Sequence, residues 1–268
     1  MHEAEQILGF PIEIIAGREE ARLIYMGVAK SLPSSNHDRL VVDIGGGSTE
    51  FIIGHRLKPK QMDSLYMGCV SYSTRFFPDG LIDKKNFRDA QLAARTELEQ
   101  IREIFLKEGW REAYGSSGTA KALAGIMIDN GYSENGITRE GLEWLRDRAL
   151  KAGNFRELGL GIKADRIPVM AGGLAIMLTI FEELQIRHML PVDTALRDGV
   201  LYDMLGRAQQ SDVPNVREAT VAQFAKRYHV DLKQAERVSG LALHFFNDAK
   251  SVATMMWRYK PSRPRLNG

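Results

Sequence analysis

Apolar positions along the chain recur with two different periods, and these periods predict the order of helices and strands. Two short apolar runs, 41–44 and 50–54, lie on either side of a glycine-rich turn and predict a hairpin of buried strands. Further strands are predicted at 12–15, 64–68, 110–114 and 189–192. Helices are predicted at 4–8, 17–29, 84–107, 120–129, 138–152, 174–184, 200–206, 218–228 and 232–248.

The order of these elements favours an α/β protein. Twice a predicted strand is followed by a turn and a helix, over 110–129 and again over 189–206. Units of this kind form a sheet that helices cover. A polar linker at 208–215 then precedes two more helices, and the tail at 259–268 contains two prolines that a helix cannot accommodate.

Composition narrows the class of protein. The chain has 268 residues, of which 44% are apolar, so two compact units with a real core are expected. Its net charge of +2 does not by itself indicate nucleic acid or an anionic membrane as a partner. One cysteine, Cys69, cannot form an internal disulfide and is expected to be buried, and no signal peptide or membrane span is recognisable. We therefore expect a cytoplasmic protein.

The turn at 43–50 carries the clearest chemistry. It reads DIGGGSTE, so Asp43 and Glu50 flank three glycines and two hydroxyl side chains. Gly45, Gly46 and Gly47 allow backbone amides to converge on an anion, and Ser48 and Thr49 add donors. Mg²⁺ that is bound with a phosphate prefers one or two carboxylates, which the flanking residues supply. Because an ordinary hairpin needs no such carboxylates, the turn predicts a site for phosphate and a metal.

Other candidate residues are ambiguous when each is considered alone. Gly115–Thr119 is a glycine turn before a helix, which can bind phosphate but is also common in loops. Glu20 is explained by a favourable position at a helix N-terminus. Arg197 and Lys121 each fit a cation that faces phosphate or a surface residue, and the histidines show no metal-ligand spacing.

Six segments in a fixed order resemble the exopolyphosphatase and guanosine pentaphosphate phosphatase family. They are IEIIAGREEARLIY (12–25), the hairpin turn, MGCVS (67–71), GSSGT (115–119), GGLAI (172–176) and ALRDGVLY (195–202). The resemblance extends over nearly all of residues 3 to about 250. It implies the fold class of actin, Hsp70 and the sugar kinases, the actin-like or ribonuclease H-like α/β fold, in which two domains face each other across a cleft. Longer members add a helical domain of the HD-phosphohydrolase type.

The resemblance also implies roles for single residues. Glu20 would orient or deprotonate the attacking water, and Asp43 and Glu50 would hold Mg²⁺ or Mn²⁺. Gly45 to Ser48 would grip the terminal phosphate, with Thr49, Gly118, Thr119 and Arg197 as supporting phosphate-binding residues. The expected reaction is hydrolysis of the terminal phosphoanhydride of inorganic polyphosphate.

Other functions stay open at this point. Guanosine pentaphosphate is the alternative substrate, and Gly47 favours polyphosphate because the pentaphosphate enzymes of the family more often carry alanine there. A noncatalytic phosphate-binding remnant and a kinase of the same fold are further alternatives.

The chain also departs from the family pattern. Family members carry an earlier hairpin with a motif such as Asp-Leu-Gly-Ser-Asn-Ser, and this motif does not occur in the 268 residues. We therefore expect a remnant of a first actin-like domain at 1–38, a second actin-like domain at 39–207, and the start of a helical domain at 208–268. Such a fragment is expected to hydrolyse polyphosphate poorly or not at all. The full-length form is expected to be a homodimer.

Overall fold

The structure, a computed structural model, describes residues 2–12, 14–208, 225 and 230–258. The strands are β1 (Asp38–Ile44), β2 (Thr49–His55), β3 (Lys58–Leu65), β4 (Glu112–Gly115), β5 (Ile137–Thr138) and β6 (His188–Pro191). The α-helices are α1 (His2–Leu8), α2 (Gly17–Ser31), α3 (Cys69–Phe76), α4 (Lys84–Glu108), α5 (Gly118–Asp129), α6 (Arg139–Ala152), α7 (Ile167–Glu183), α8 (Leu196–Ala208) and α9 (Leu232–Arg258). Short 3₁₀ turns lie at Pro78–Gly80 and Arg156–Leu158.

The six strands form one mixed sheet in the order β3-β2-β1-β4-β6-β5. β1, β2 and β3 pair antiparallel, as consecutive strands joined by tight turns do. β4 and β6 run parallel to β1, because helices carry the chain back across the sheet between them. The C-terminal ends of these parallel strands and the turn between β1 and β2 therefore lie at the same edge of the sheet.

The strands in the middle of the sheet are apolar because both faces are covered. Leu40, Val42 and Ile44 of β1 belong to the main core with α3 to α7, whereas Val41, between them, faces the other side. On that other side lies α2, whose Tyr25 ring occupies the space next to Gly54. A side chain of β1 or β2 that shares a face with Val41 therefore lies on the α2 side of the sheet.

The long helices begin and end at recognisable signals. Asp83 caps α4, since its side chain accepts a hydrogen bond from the amide of Asn86 at 2.8 Å, and Gly109 follows the last residue of the helix. Thr138 caps α6 in the same way through the amide of Gly141, as its position before Arg139 predicts.

Some elements differ from the sequence predictions. The segment 12–15 is not a strand at Ile12, Ile14 or Ile15, because no described strand lies beside it to share hydrogen bonds. The short helix α3 and the two-residue strand β5 were not predicted. α7 and α8 begin earlier than predicted, at Ile167 and Leu196. The predicted helix at 218–228, most of the linker and the tail at 259–268 lie outside the described residues.

The chain divides into two compact units, Met1–Ser211 and Asp212–Gly268. α2 belongs to the first unit, in which it packs on β2, β3 and α8. The described part of the second unit is mainly α9. Among the described helices, none is both long and apolar enough to cross a membrane.

Candidate active site

Three polar residues form a row across the first three strands, on the face that α2 covers. Asp43 of β1 lies opposite Glu50 of β2, and Glu50 lies opposite Ser64 of β3. Directly opposed residues share a face, and Asp43 is two residues from Val41, so the row faces α2. Asp43 and Glu50 are almost completely buried, with 9% and 1% of their surface exposed. Ser64 donates a hydrogen bond to Glu50 Oε1 at 2.8 Å.

The third carboxylate comes from α2. Glu20 lies in the first turn of this helix and is partly buried beside Asp43 and Glu50, in one cleft of about 480 Å³. The N-terminus of the helix is fixed against the sheet, because a Cβ built on Gly17 would lie only 2.6 Å from Ser64 Oγ. The helix can therefore approach the row closely enough for Glu20 to reach the cleft.

The glycine turn between β1 and β2 is seated on the start of α3. The carbonyl of Gly45 accepts a hydrogen bond from the Cys69 amide at 2.9 Å, and the carbonyl of Gly46 accepts one from Val70 at 3.0 Å. Close contact is possible because residue 68 is glycine: a Cβ there would lie 2.3 Å from the carbonyl of Gly46. The carbonyls of the turn are thus held by the protein.

The amides of the same turn are left for a ligand. Gly45 N donates to the Ser48 carbonyl at 2.9 Å and closes the turn. The backbone amides of Gly46, Gly47 and Ser48 donate to no acceptor in the described part of the protein. None of the three glycines has a positive φ, so the conformational freedom that the sequence analysis gave as the reason for glycine is not used at these positions. The turn presents successive amides, as anion-binding nests do.

A second turn meets the first across the cleft. Ser116, directly after β4, donates its hydroxyl proton to Asp43 Oδ2 at 2.5 Å. Ser117 caps α5 by accepting from the Ala120 amide at 3.1 Å, so the N-terminus of α5 opens on the cleft at Gly118. Anions are favoured at such helix ends.

Arg166 adds a cation at this point. A Cβ built on Gly118 would lie 2.7 to 2.8 Å from the guanidinium of Arg166, which therefore rests on the first turn of α5. Arg166 also borders a second cavity of about 500 Å³, and Ser116, Gly118 and Ala195 likewise line both this cavity and the cleft. Lys121 and Lys163 line this second cavity, together with Ile126, Leu160 and Ile162.

Three of the carboxylates that line the cleft, Glu20, Asp43 and Glu50, have raised pKa values. Burial and, after it, the charges of Glu20 and Asp43 raise the pKa of Glu50 to about 7, against hydrogen bonds from Ser48 and Ser64 that lower it. Burial, followed by the charge of Asp43, raises the pKa of Glu20. Burial also raises the pKa of Asp43, against the hydrogen bond from Ser116 and the charge of Lys121. These groups destabilise one another as anions, so a cation in the cleft would be favourable.

The donor set fits a hard divalent cation that is bound together with a substrate. Among the described residues, no group of three or more His, Cys, Asp or Glu side chains is arranged to hold a metal alone. Mg²⁺ does not need such a group, because one or two carboxylates suffice when phosphate oxygens and water complete its shell. Asp43 and Glu50, opposed on neighbouring strands beside an open cleft, supply those two carboxylates.

The structure brings together some of the predicted site residues and separates others. Those that line the cleft are Glu20, Asp43, Gly45, Gly46, Glu50 and Gly118. Gly47 and Ser48 belong to the same turn but not to the wall of the cleft. Thr49 is fully buried and donates its hydroxyl proton to the Met67 carbonyl, Thr119 is buried against Gly173, and Arg197 is exposed away from the cleft wall.

The sequence reasoning missed Ser64, Arg166 and the role of Ser116 toward Asp43. Ser64 was predicted only as part of a strand, and its place opposite Glu50 depends on strand register. Arg166 lies 48 residues after Gly118, in a segment without a motif, so only the fold brings the two together. A signal for Ser116 existed, since it belongs to the glycine turn that the sequence singles out.

The fold and the cleft define an α/β protein of the actin-like ATPase fold, in which residues of two glycine turns and the carboxylates Glu20, Asp43 and Glu50 line one cleft. The chain belongs to the Ppx/GppA phosphatase family, whose model matches residues 1–208, and the model for domain III of Ppx/GppA phosphatases matches residues 216–267. It is therefore a phosphatase of this family, as the sequence motifs indicate.

Solved structures of family members have the same fold. The Ppx/GppA family member of Aquifex aeolicus is 22% identical, with a TM-score of 0.63 over 78% of this chain and 69% of that chain. An exopolyphosphatase from Cytophaga hutchinsonii is also 22% identical, with a TM-score of 0.66 over 76% of this chain and 68% of the other. An exopolyphosphatase-like protein gives a TM-score of 0.67 at 22% identity, over 77% and 72% of the two chains.

Proposed function

We propose that the cleft hydrolyses the terminal phosphoanhydride of inorganic polyphosphate and releases orthophosphate. The observation that carries this proposal is that Glu20, Asp43 and Glu50 line one cleft. Two turns also line this cleft, and the first of them has backbone amides that donate to no backbone acceptor in the described part of the protein. Hydrolysis of a phosphoanhydride needs a positioned water and neutralised charge more than covalent chemistry. The cleft contains groups suited to each of these tasks.

Each group has a distinct role in this proposal. The amide of Gly46, which lines the cleft, binds the terminal phosphate, with the amides of Gly47 and Ser48 next to it in the same turn, and the N-terminus of α5 with Arg166 binds the neighbouring phosphate. Asp43 and Glu50 hold Mg²⁺ or Mn²⁺, and the metal, when bound, neutralises phosphate charge. Glu20 orients the attacking water and accepts its proton, a task for which a raised carboxylate pKa is an advantage.

The second cavity supports an extended anion as substrate. Lys121, Lys163 and Arg166 line it together with Asp129 and Asp193, and Lys121 is paired with Asp193 at 2.7 Å. A polyphosphate that enters from this side would meet Lys163 and Arg166, cations that a single phosphomonoester would not need.

Guanosine pentaphosphate is the second candidate, for one specific reason. The wall of the second cavity formed by Ile126, Leu160 and Ile162 is apolar, and a nucleoside uses such a wall better than a phosphate chain does. Gly47, which favours polyphosphate by resemblance, does not decide the matter sterically, because a Cβ at this position would meet nothing within 4 Å among the described residues.

Binding of tripolyphosphate in the presence of Mg²⁺, measured by calorimetry, tests the proposed site. Asp43→Asn should weaken the affinity at least tenfold, because it removes the negative charge of one of the two carboxylates that hold the metal. Glu20→Gln keeps the metal ligands and should change the affinity less than about threefold.

Two results would contradict the proposal. One is equal affinity of the parent chain and Asp43→Asn. The other is tight binding of ATP with no measurable affinity for tripolyphosphate, since recognition of adenine would support a kinase of this fold.

A further inference from the structure

The ALRDGVLY segment (195–202) has a feature that phosphate binding does not explain. Ala195 and Leu196 line the cleft, whereas Arg197 is exposed and does not line it. Asp198 is turned back on its own helix start, where its Oδ2 accepts the Ala195 amide at 3.0 Å. The unexplained feature of the segment is Gly199, which lies inside α8 and carries no side chain.

Gly199 brings the backbones of α8 and α2 into direct contact. A Cβ built on Gly199 would lie 1.8 Å from the carbonyl oxygen of Leu23 in α2. From the other side, a Cβ on Gly27 would lie 2.6 Å from the carbonyl of Ala195 and 2.8 Å from the amide of Gly199. Glycine inside a helix costs about 1 kcal/mol relative to alanine, so two such positions are explained by the close approach.

A buried arginine connects the same two helices. Arg22 of α2 is 1% exposed and makes ion pairs with Glu19 at 2.8 Å and with Asp203 of α8 at 2.9 Å. The ion pair with Asp203 joins residues that are far apart in the chain and fixes the rotation of α2 about its axis. Glu20 lies two residues before Arg22, so this rotation decides whether Glu20 faces the cleft.

The first turn of α2 is held from the other side by the sheet. Gly17 packs on Ser64, and Arg18 pairs with Asp63 of β3 at 3.2 Å. Glu20 thus lies between a contact with β3 at the beginning of the helix and a contact with α8 farther along it. Both contacts would have to give way before the carboxylate could leave its place beside Asp43.

We propose that the contact formed by Gly27, Gly199 and the Arg22–Asp203 ion pair positions Glu20 for catalysis, and that Gly199 of the ALRDGVLY segment serves this contact rather than phosphate binding. This inference rests on the proposed function of Glu20. Gly27, Gly199, Arg22 and Asp203 are positioning residues, since none of them lines the cleft. A misplacement of about 1 Å in a catalytic group can reduce a rate 100-fold.

The inference is tested with Gly199→Ala, Gly27→Ala and, as a matched helical control, Gly240→Ala in α9, where a Cβ meets nothing within 4 Å in the described part of the chain. Three quantities are measured: phosphate release from polyphosphate, the affinity for Mg²⁺–tripolyphosphate, and amide hydrogen exchange in α2. We expect Gly199→Ala to lower the rate about 100-fold, to change the affinity less than about threefold, and to accelerate exchange between 23 and 29. Gly27→Ala should act in the same direction more weakly, and the control should match the parent.

A second pair of variants separates positioning from folding. Arg22→Lys retains a cation for Asp203 and should keep most of the rate, whereas Arg22→Met should lose at least tenfold in rate with tripolyphosphate affinity retained. Faster exchange in α2 with an unchanged rate, or unchanged exchange in Gly199→Ala, would overturn the inference. If Glu20→Gln releases phosphate at the parent rate, the proposed function itself fails, which is a different outcome.

Discussion

Glu20, Asp43 and Glu50 have unequal surroundings in the cleft, although all of them have raised pKa values. Glu50 is the most deeply buried and accepts hydrogen bonds from two serines, so it is held rigidly. Asp43 has one serine and the positive charge of Lys121. The pKa of Glu20 is raised by burial and by the charge of Asp43, without a hydrogen bond that opposes the shift, and Glu20 is less buried than Asp43 or Glu50. This difference suits a fixed pair of metal ligands beside a group that exchanges protons with water.

Glu50 gives the protein a pH dependence of stability with a definite sign. Its pKa rises from 4.5 to about 7 on folding, so between these values the folded form keeps a proton that the unfolded form has lost. Stability therefore falls as pH rises through this window, by up to about 3 kcal/mol at pH 8. Thermal unfolding of the parent and of Glu50→Gln from pH 5 to 8 measures this effect.

Glu50→Gln lacks the titrating group that makes the free energy of unfolding fall with pH, so the parent should lose more stability than this variant as the pH rises. Asp43 and Glu20 add slopes of the same sign to both proteins, so the difference isolates Glu50. Added Mg²⁺ should restore stability at pH 8 in the parent more than in the variant. Parallel curves for the two proteins would contradict the assigned burial and charge of Glu50.

At the scale of elements, the site depends on where short turns are seated. The turn between β1 and β2 is held on α3 by its carbonyls, while its amides at 46–48 donate to no backbone acceptor in the described part of the protein. The second turn is oriented by the cap on α5. Neither orientation requires a ligand, so the two amide-bearing turns are preorganised before substrate arrives.

Gly68→Ala should disrupt the contact between the β1–β2 turn and the start of α3, whereas Gly47→Ala should not. A Cβ at residue 68 would lie 2.3 Å from the backbone of Gly46, which cannot move without displacing the turn. We expect a loss of about 2 kcal/mol or more in unfolding free energy, and at least tenfold weaker tripolyphosphate binding. Gly47 has space for a Cβ and no positive φ, so its variant should unfold within about 1 kcal/mol of the parent.

Chemical denaturation of the two variants beside the parent provides the measurement. Equal stability of Gly68→Ala and Gly47→Ala would show that the close approach of residue 68 to the turn is not essential.

Elements with a long or strongly periodic pattern could be predicted from sequence. The β1–β2 hairpin, α4 and α6 all lie within three residues of their predicted places, because their patterns and caps are local. α3 was missed because it has only eight residues, of which two are serines and one is a threonine. The segment 12–15 was predicted wrongly because three isoleucines in four residues have high strand propensity, but a strand also needs a neighbour.

At the scale of the whole molecule, the site was only partly predictable. Asp43 and Glu50 stand on either side of one turn, so sequence alone pairs them. Glu20 required the resemblance to a family, because its place in the cleft depends on how α2 packs against β3 and α8. Arg166 and Ser64 could be found only from the fold. Arg197 and Thr49 were assigned to phosphate from sequence motifs, and neither residue lines the cleft: Arg197 is exposed, and Thr49 donates to the Met67 carbonyl.

Release of orthophosphate from polyphosphate in the presence of Mg²⁺ tests the central claim most directly. Glu20→Gln is compared with the parent and with Glu140→Gln, a glutamate in the first turn of another helix that is exposed and remote from the cleft wall. Because a general base contributes about 100-fold or more, Glu20→Gln should lower the rate by at least this factor while Glu140→Gln stays within about twofold of the parent. Equal rates for Glu20→Gln and the parent would contradict the account.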